Sequence, residues 1–189
     1  MQKGTGAEFK SLLSEEEYNH LIEKFKGNKT DFQTNHYFDT SRFSLKALDT
    51  SLRVRERESL VATLKRKKGY MTNINSAAIT AEQFKELKET GVMPIEEIKS
   101  LISPMIGSQK LVNFLSLSTL CMFLPYKSGV LFIDKSSYLG VTDFEIEYSA
   151  SSYHEGKKEF IELIKDLEIQ YKKADKKIKR AYNAYKRLH

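Results

Sequence analysis

Three short segments combine residue types and spacings suited to a polyvalent anion and a hard metal ion. In Leu52-Arg53-Val54-Arg55-Glu56-Arg57 the arginines recur at every second position, and in Thr63-Leu64-Lys65-Arg66-Lys67 the residues Thr63, Lys65 and Lys67 do the same. In Asp143-Phe144-Glu145-Ile146-Glu147-Tyr148 three carboxylates alternate with three large apolar groups. Side chains alternate across a strand, so each set of like charges shares one face. Guanidinium forks match phosphate oxygens bidentately, lysines add point charge, and grouped carboxylates offer the oxygen ligands that Mg²⁺ or Mn²⁺ prefers. Glu8 and Lys10 likewise share a face, opposite Phe9.

Spacing alone leaves a second reading open, in which these are the solvent faces of an amphipathic sheet. Segregation by sign favours the first. Like charges two residues apart repel, a cost that is tolerable when a ligand of opposite charge lies between them. Opposed basic and acidic walls would make a site for a metal-bound polyphosphate.

The elements that must position these faces follow from capping and periodicity. A strand at Ala7–Leu13 runs into Ser14-Glu15-Glu16-Glu17, a capping box that opens a helix expected to end near Gly27. Strands are expected at 34–40, 51–57 and 60–67. Thr80 and Gln83 form a second capping box, Gly91 is placed as a helix stop, and Pro94 suits the first turn of a further helix reaching about Ile102. Strands return at 111–123, 130–134 and 142–148. Helical spacing follows at Phe160, Leu163, Ile164 and Leu167, and again at Ile178, Ala181, Tyr182, Tyr185 and Leu188. This order predicts an α+β protein with one dominant antiparallel sheet, and closing it as a barrel would turn a charged face inward.

Composition narrows the function classes. The 189 residues suit a single domain over 1–189, with 40% apolar and 30% charged residues. No stretch has the roughly 18 uninterrupted apolar residues of a membrane span, and the polar start lacks an apolar signal core, so a cytoplasmic protein with no membrane partner is expected. The one cysteine, Cys121, and four scattered histidines give no zinc-ligand spacing. The net charge of +6 is a feature of the tail: residues 172–189 hold eight Lys/Arg and one Asp, leaving 23 basic and 24 acidic side chains elsewhere. That tail is either a solvated basic helix or one that donates cations to an anion site. Its aromatic residues are spaced for packing and no RNA- or DNA-binding motif is present, so nucleic acid is not the expected partner.

Taken in order, Glu8-x-Lys10, Tyr37-Phe38-Asp39-Thr40, Leu52-Arg53-Val54-Arg55, Thr63-Leu64-Lys65, Asp134 and Asp143-Phe144-Glu145-Ile146-Glu147 resemble the CYTH domains, or triphosphate tunnel metalloenzymes, over nearly the whole chain. The resemblance implies an eight-stranded antiparallel tunnel, a closed β-barrel with a charged interior flanked by helices. It implies a divalent-metal-dependent hydrolase of inorganic triphosphate or a small organic triphosphate. Lys10, Arg53, Arg55 and Lys65 would then contact phosphates and act in catalysis, with Lys67 beside them. Asp134, Glu145, Glu147 and Glu8 would hold Mg²⁺ or Mn²⁺, the three glutamates doubling as catalytic groups. Lys177 and Arg180 look like the family's basic residues on the C-terminal helix, about 175–188, and would bind the triphosphate as well.

The chain departs from the family pattern at three positions. Gly6 stands where the signature Glu-x-Glu-x-Lys has its first Glu. Aligned on Pro125-Tyr126, Cys121 and Phe123 stand where relatives usually carry Arg and then Glu. These losses raise an alternative, a module that binds polyphosphate or nucleotide without turnover. Adenylate cyclase chemistry, which uses the same metal and triphosphate contacts, also stays open.

Overall fold

The computed structural model describes residues 7–68 and 71–188; Gly6 therefore lies outside the described residues. Among them, in chain order, come β1 (Ala7–Leu13), α1 (Glu15–Lys24), β2 (Lys29–Thr40), α2 (Ser44–Ala47), β3 (Thr50–Glu56), β4 (Leu60–Lys68) and β5 (Met71–Ala78). There follow α3 (Ala81–Thr90), α4 (Glu96–Ile106), β6 (Leu111–Tyr126), β7 (Gly129–Tyr138), β8 (Val141–Ala150), α5 (Tyr153–Asp166) and α6 (Lys177–Leu188). The strands form one eight-stranded antiparallel sheet, ordered β1-β8-β7-β6-β2-β3-β4-β5, in an α+β protein. No described helix is long and apolar enough to cross a membrane.

The described residues of Met1–Phe32 and Ser118–His189 make one compact unit, and Gln33–Leu117 make a second. In the first unit β1 pairs with β8, β8 with β7, and β7 with the second half of β6. Alternation sorts the residues of this ladder cleanly. Met122, Leu124, Leu131, Ile133, Ile146 and Tyr148 face a core shared with Tyr18 and Leu21 of α1 and Phe160 and Leu163 of α5. The capping box at Ser14 forms as expected, the Ser14 hydroxyl accepting from the Glu17 amide at 3.1 Å and the Glu17 carboxylate accepting from the Ser14 amide at 2.6 Å. α1 ends at Lys24, one turn before Gly27, with Phe25 as its C-cap.

The second unit holds its own core of Phe38, Leu52, Val54, Ala62 and Leu64, covered by Phe84 and Leu87 of α3 and Ile98 and Ile102 of α4. Gly91 takes the left-handed conformation that ends α3, at φ 70°, and a Cβ there would lie 2.6 Å from the Leu111 carbonyl oxygen. Both facts require glycine. α4 begins after Ile95, leaving Pro94 outside it, and runs on through Pro104 in its last turn to Ile106. The Asp39 of the Tyr37-Phe38-Asp39-Thr40 motif has a structural use: buried, it accepts from the amides of Thr40 at 2.7 Å, Leu45 at 2.9 Å and Lys46 at 3.0 Å. The last two bonds satisfy otherwise orphaned donors in the first turn of α2.

Candidate functional site

In the first unit, the register stacks the charged face of β8 against its neighbours. Asp134 of β7 lies between Glu145 and Cys121, and Glu147 lies between Lys10 and Phe132. Asp134, Glu145 and Glu147 are 6%, 0% and 2% exposed. One carboxylate oxygen from each comes within 4.8 Å of the others. Three carboxylates so close and so dry would repel strongly without cations.

The cations come from β1 and α6. Lys177 Nζ lies 2.7 Å from Asp134 Oδ2, 2.8 Å from Glu145 Oε1 and 4.0 Å from Glu147 Oε2. Lys10 Nζ lies 3.3 Å from Glu147 Oε2 and 3.7 Å from Glu8 Oε2. One turn beyond Lys177, Arg180 grips Asp143 with two parallel bonds, Nε to Oδ2 at 2.8 Å and Nη2 to Oδ1 at 2.9 Å, and gives Nη1 to Glu145 Oε2 at 2.7 Å and to the Asp175 carbonyl. The Tyr138 hydroxyl also donates to Asp143, at 2.6 Å. Burial and this hydrogen bond push the Tyr138 phenol up to about 12. Burial alone would lower Lys177, yet Asp134 and Glu145 hold it above the ordinary lysine range, so it is charged at neutral pH.

The chemistry of the donors fits a hard divalent cation. All three clustered ligands are carboxylate oxygens, and Asp134 Oδ1 is buried with no hydrogen-bond partner among the described residues. A buried carboxylate oxygen left unpaired is costly unless a cation completes it. Cys121 adds little: burial, reinforced by the facing Asp134 carboxylate, pushes its thiol well up, so it stays protonated. Beside it on the same face, Phe123 and Phe132 pack with ring centroids 6.4 Å apart.

The second unit carries the basic face. Arg53 of β3 lies between Tyr37 and Thr63, and Thr63 bonds Ser76 at 3.0 Å. Arg55 pairs with the buried Asn35, whose Oδ1 accepts from Arg55 Nε at 3.4 Å. Both arginines are half-buried, and Arg53 Nε has no hydrogen-bond partner among the described residues. Lys65 and Lys67 of β4 share that face with Thr63 and are exposed. Their faces are the ones the alternation in the sequence predicts.

The site residues expected from the sequence are thus distributed by unit: Glu8, Lys10, Asp134, Glu145, Glu147, Lys177 and Arg180 in the first, and Arg53, Arg55, Lys65 and Lys67 in the second. Asp143 and Tyr138 were not expected as site residues. The alternation in β8 put Asp143 on the same face as Glu145 and Glu147; only the fold shows that Arg180 is its partner.

One ladder of the antiparallel sheet thus carries a buried carboxylate cluster, and another carries a basic face. The chain belongs to the CYTH family, whose domain description matches residues 6–182. It is similar, at 30% identity over 181 residues and 93% of each chain, to YjbK of Bacillus subtilis (strain 168), which carries a provisional triphosphatase name. A Bacillus halodurans crystal structure, provisionally an adenylate cyclase, shares 30% identity at a TM-score of 0.74 over 95% of this chain and 98% of that one. The Hippeastrum protein HpAC1, described as a provisional adenylyl cyclase with dominant triphosphatase activity, has the same fold at 17% identity and a TM-score of 0.72, with 95% and 96% covered.

Proposed function

We propose that this chain is a divalent-metal-dependent hydrolase of inorganic triphosphate or of a small organic triphosphate, working in the cytoplasm. The buried Asp134/Glu145/Glu147 cluster with its unpartnered Asp134 oxygen carries the reading, and membership of a family with triphosphatase-named relatives supports it. Asp134, Glu145 and Glu147, helped by Glu8, would hold Mg²⁺ or Mn²⁺, which supplies charge neutralisation of phosphate oxygens and a more acidic bound water. Arg53, Arg55, Lys65 and Lys67 bind phosphate oxygens, and the arginine forks stabilise charge on the transferring phosphoryl group. Lys10, 3.3 Å from Glu147, adds a positive charge beside the cluster. No side-chain nucleophile is needed, and the protonated Cys121 thiol is not one.

The Cys121 and Phe123 positions favour a second reading, a module that binds polyphosphate or nucleotide without turnover, because they put a neutral thiol and an aromatic pair on the charged face. Phosphate release from inorganic triphosphate, ATP and thiamine triphosphate with Mg²⁺ and with Mn²⁺ separates the two. Orthophosphate that Arg53→Ala/Arg55→Ala abolishes supports the hydrolase. Calorimetric binding without release supports the module, and pyrophosphate release with cyclic nucleotide from ATP would replace both with cyclase chemistry.

A further inference from the structure

The place where a cation would complete the carboxylate cluster already holds the Lys177 ammonium. It lies 2.7 and 2.8 Å from oxygens of Asp134 and Glu145 and 4.0 Å from one of Glu147, the three residues whose oxygens converge. A metal at that point and an ammonium at that point exclude each other. Yet Lys177 leaves Asp134 Oδ1 without a hydrogen-bond partner among the described residues, so one ammonium does not satisfy the cluster.

The helix that delivers Lys177 carries cations at both ends, and those of its first turn are unfavourably placed. Lys177, Lys179 and Arg180 occupy the first turn of α6, preceded by Lys176, and no acidic residue stands there. The amide donors of a helix N-terminus carry partial positive charge, so this turn repels its own lysines. Asp134, Glu145 and Asp143 offset that repulsion through Lys177 and Arg180. Local preference and tertiary structure conflict here, as they do at sites kept for function.

The two positions are held differently. Arg180 is fixed by a bidentate grip on Asp143, which lies outside the convergent cluster and is braced by Tyr138. Lys177 is the first residue of α6 and a single flexible ammonium. It can swing out while Arg180 keeps the helix docked.

We propose that Lys177 is the resident cation of the Asp134/Glu145/Glu147 cluster, and that a divalent metal enters only by displacing it. The exchange lowers metal affinity and loosens the first turn of α6. Metal and helix compete for the same oxygens, so each weakens the hold of the other. The inference rests on the metal-binding reading of the cluster, but not on hydrolysis.

The test uses Mn²⁺ alone, without triphosphate, on the full chain. Titration calorimetry compares the wild type with Lys177→Met, and hydrogen exchange follows the amides of α6 in the wild type. If the cluster is uncovered a tenth of the time or less, Lys177→Met binds Mn²⁺ about ten-fold or more tightly. Saturating Mn²⁺ then speeds exchange in the first turn of α6 several-fold. Equal or weaker Mn²⁺ binding by a folded Lys177→Met overturns the proposal, as does exchange in α6 that Mn²⁺ leaves unchanged or slows. Should Lys177→Met not fold, the wild-type exchange measurement decides alone. Binding of Mn²⁺ to neither protein overturns this inference and the metal-dependent reading together. Tighter binding by the variant without phosphate release from the wild type upholds this inference and removes only the hydrolase.

Discussion

The two compact units are built on the same device, a strand face of like charges backed by an apolar core, and they use it in opposite ways. In the first unit Asp134, Glu145 and Glu147 are buried and matched by Lys10, Lys177 and Arg180. In the second, Arg53 and Arg55 are half-buried among Asn35, Thr63 and Ser76, and Lys65 and Lys67 are exposed. Spacing makes the two faces look alike; burial separates them. A charge that is dry and paired is bound up with stability, whereas one that keeps contact with solvent can be reached by a ligand.

Mutation should break the two faces differently. Glu145→Ala removes the buried carboxylate that Lys177 and Arg180 share, leaving each cation with one acidic partner, Asp134 and Asp143; removal of one partner from a buried pair costs about 3–5 kcal/mol. Denaturant unfolding should show that loss, and an effect under about 1 kcal/mol would mean that water relieves the cluster. Arg53→Ala should show the reverse profile. Loss of a charged contact to phosphate costs about 2–5 kcal/mol, roughly 30-fold or more in kcat/KM, while unfolding stability changes by less than about 1 kcal/mol, as expected of a partly exposed side chain. A stability loss matching that at Glu145 would erase the distinction between the faces.

The capping boxes sharpen the same contrast on a smaller scale. Thr80 and Gln83 cap each other at the exposed start of α3, each side chain accepting from the other's amide, whereas Glu17 also accepts from the distant Gln170 amide at 3.1 Å and lies 3.5 Å from Lys172. Thr80→Ala should cost about 1 kcal/mol of unfolding free energy, as a lost N-cap does. Burial would raise the Glu17 pKa, but the Ser14 and Gln170 amides and Lys172 together hold it below its ordinary 4.5. Its folded-state value being depressed, its contribution is fully present above about pH 4.5 and is lost as pH falls through the lower folded value. Unfolding curves at descending pH should therefore be steeper for the wild type than for Glu17→Gln, and parallel curves would contradict the assignment.

How much of this was legible depended on whether local pattern or distant partners decide. Alternation in β3, β4 and β8 was enough to place every charged face, and both capping boxes and Gly91 announced their helix ends. β5 was missed because Met71-Thr72-Asn73-Ile74-Asn75-Ser76 has almost no apolar alternation; it is a strand because β4 offers it a ladder from Val61 to Lys68. The family-like Asp39 gave no hint of holding α2 rather than a ligand. The resemblance makes Lys177 and Arg180 phosphate contacts; that both also hold carboxylates rests on contacts between residues more than 30 positions apart, which no window of sequence displays.

That separation along the chain has a consequence for synthesis. β1 emerges from the ribosome early but finds its partner only when β8, at 141–150, has been made. Lys177 and Arg180 are translated after every acid they neutralise. During the interval a nascent chain carries Asp134, Asp143, Glu145 and Glu147 with α6 not yet formed, so the first unit cannot acquire its native charge balance until some thirty residues after its last strand have left the exit tunnel, whereas Gln33–Leu117 has its own core complete long before.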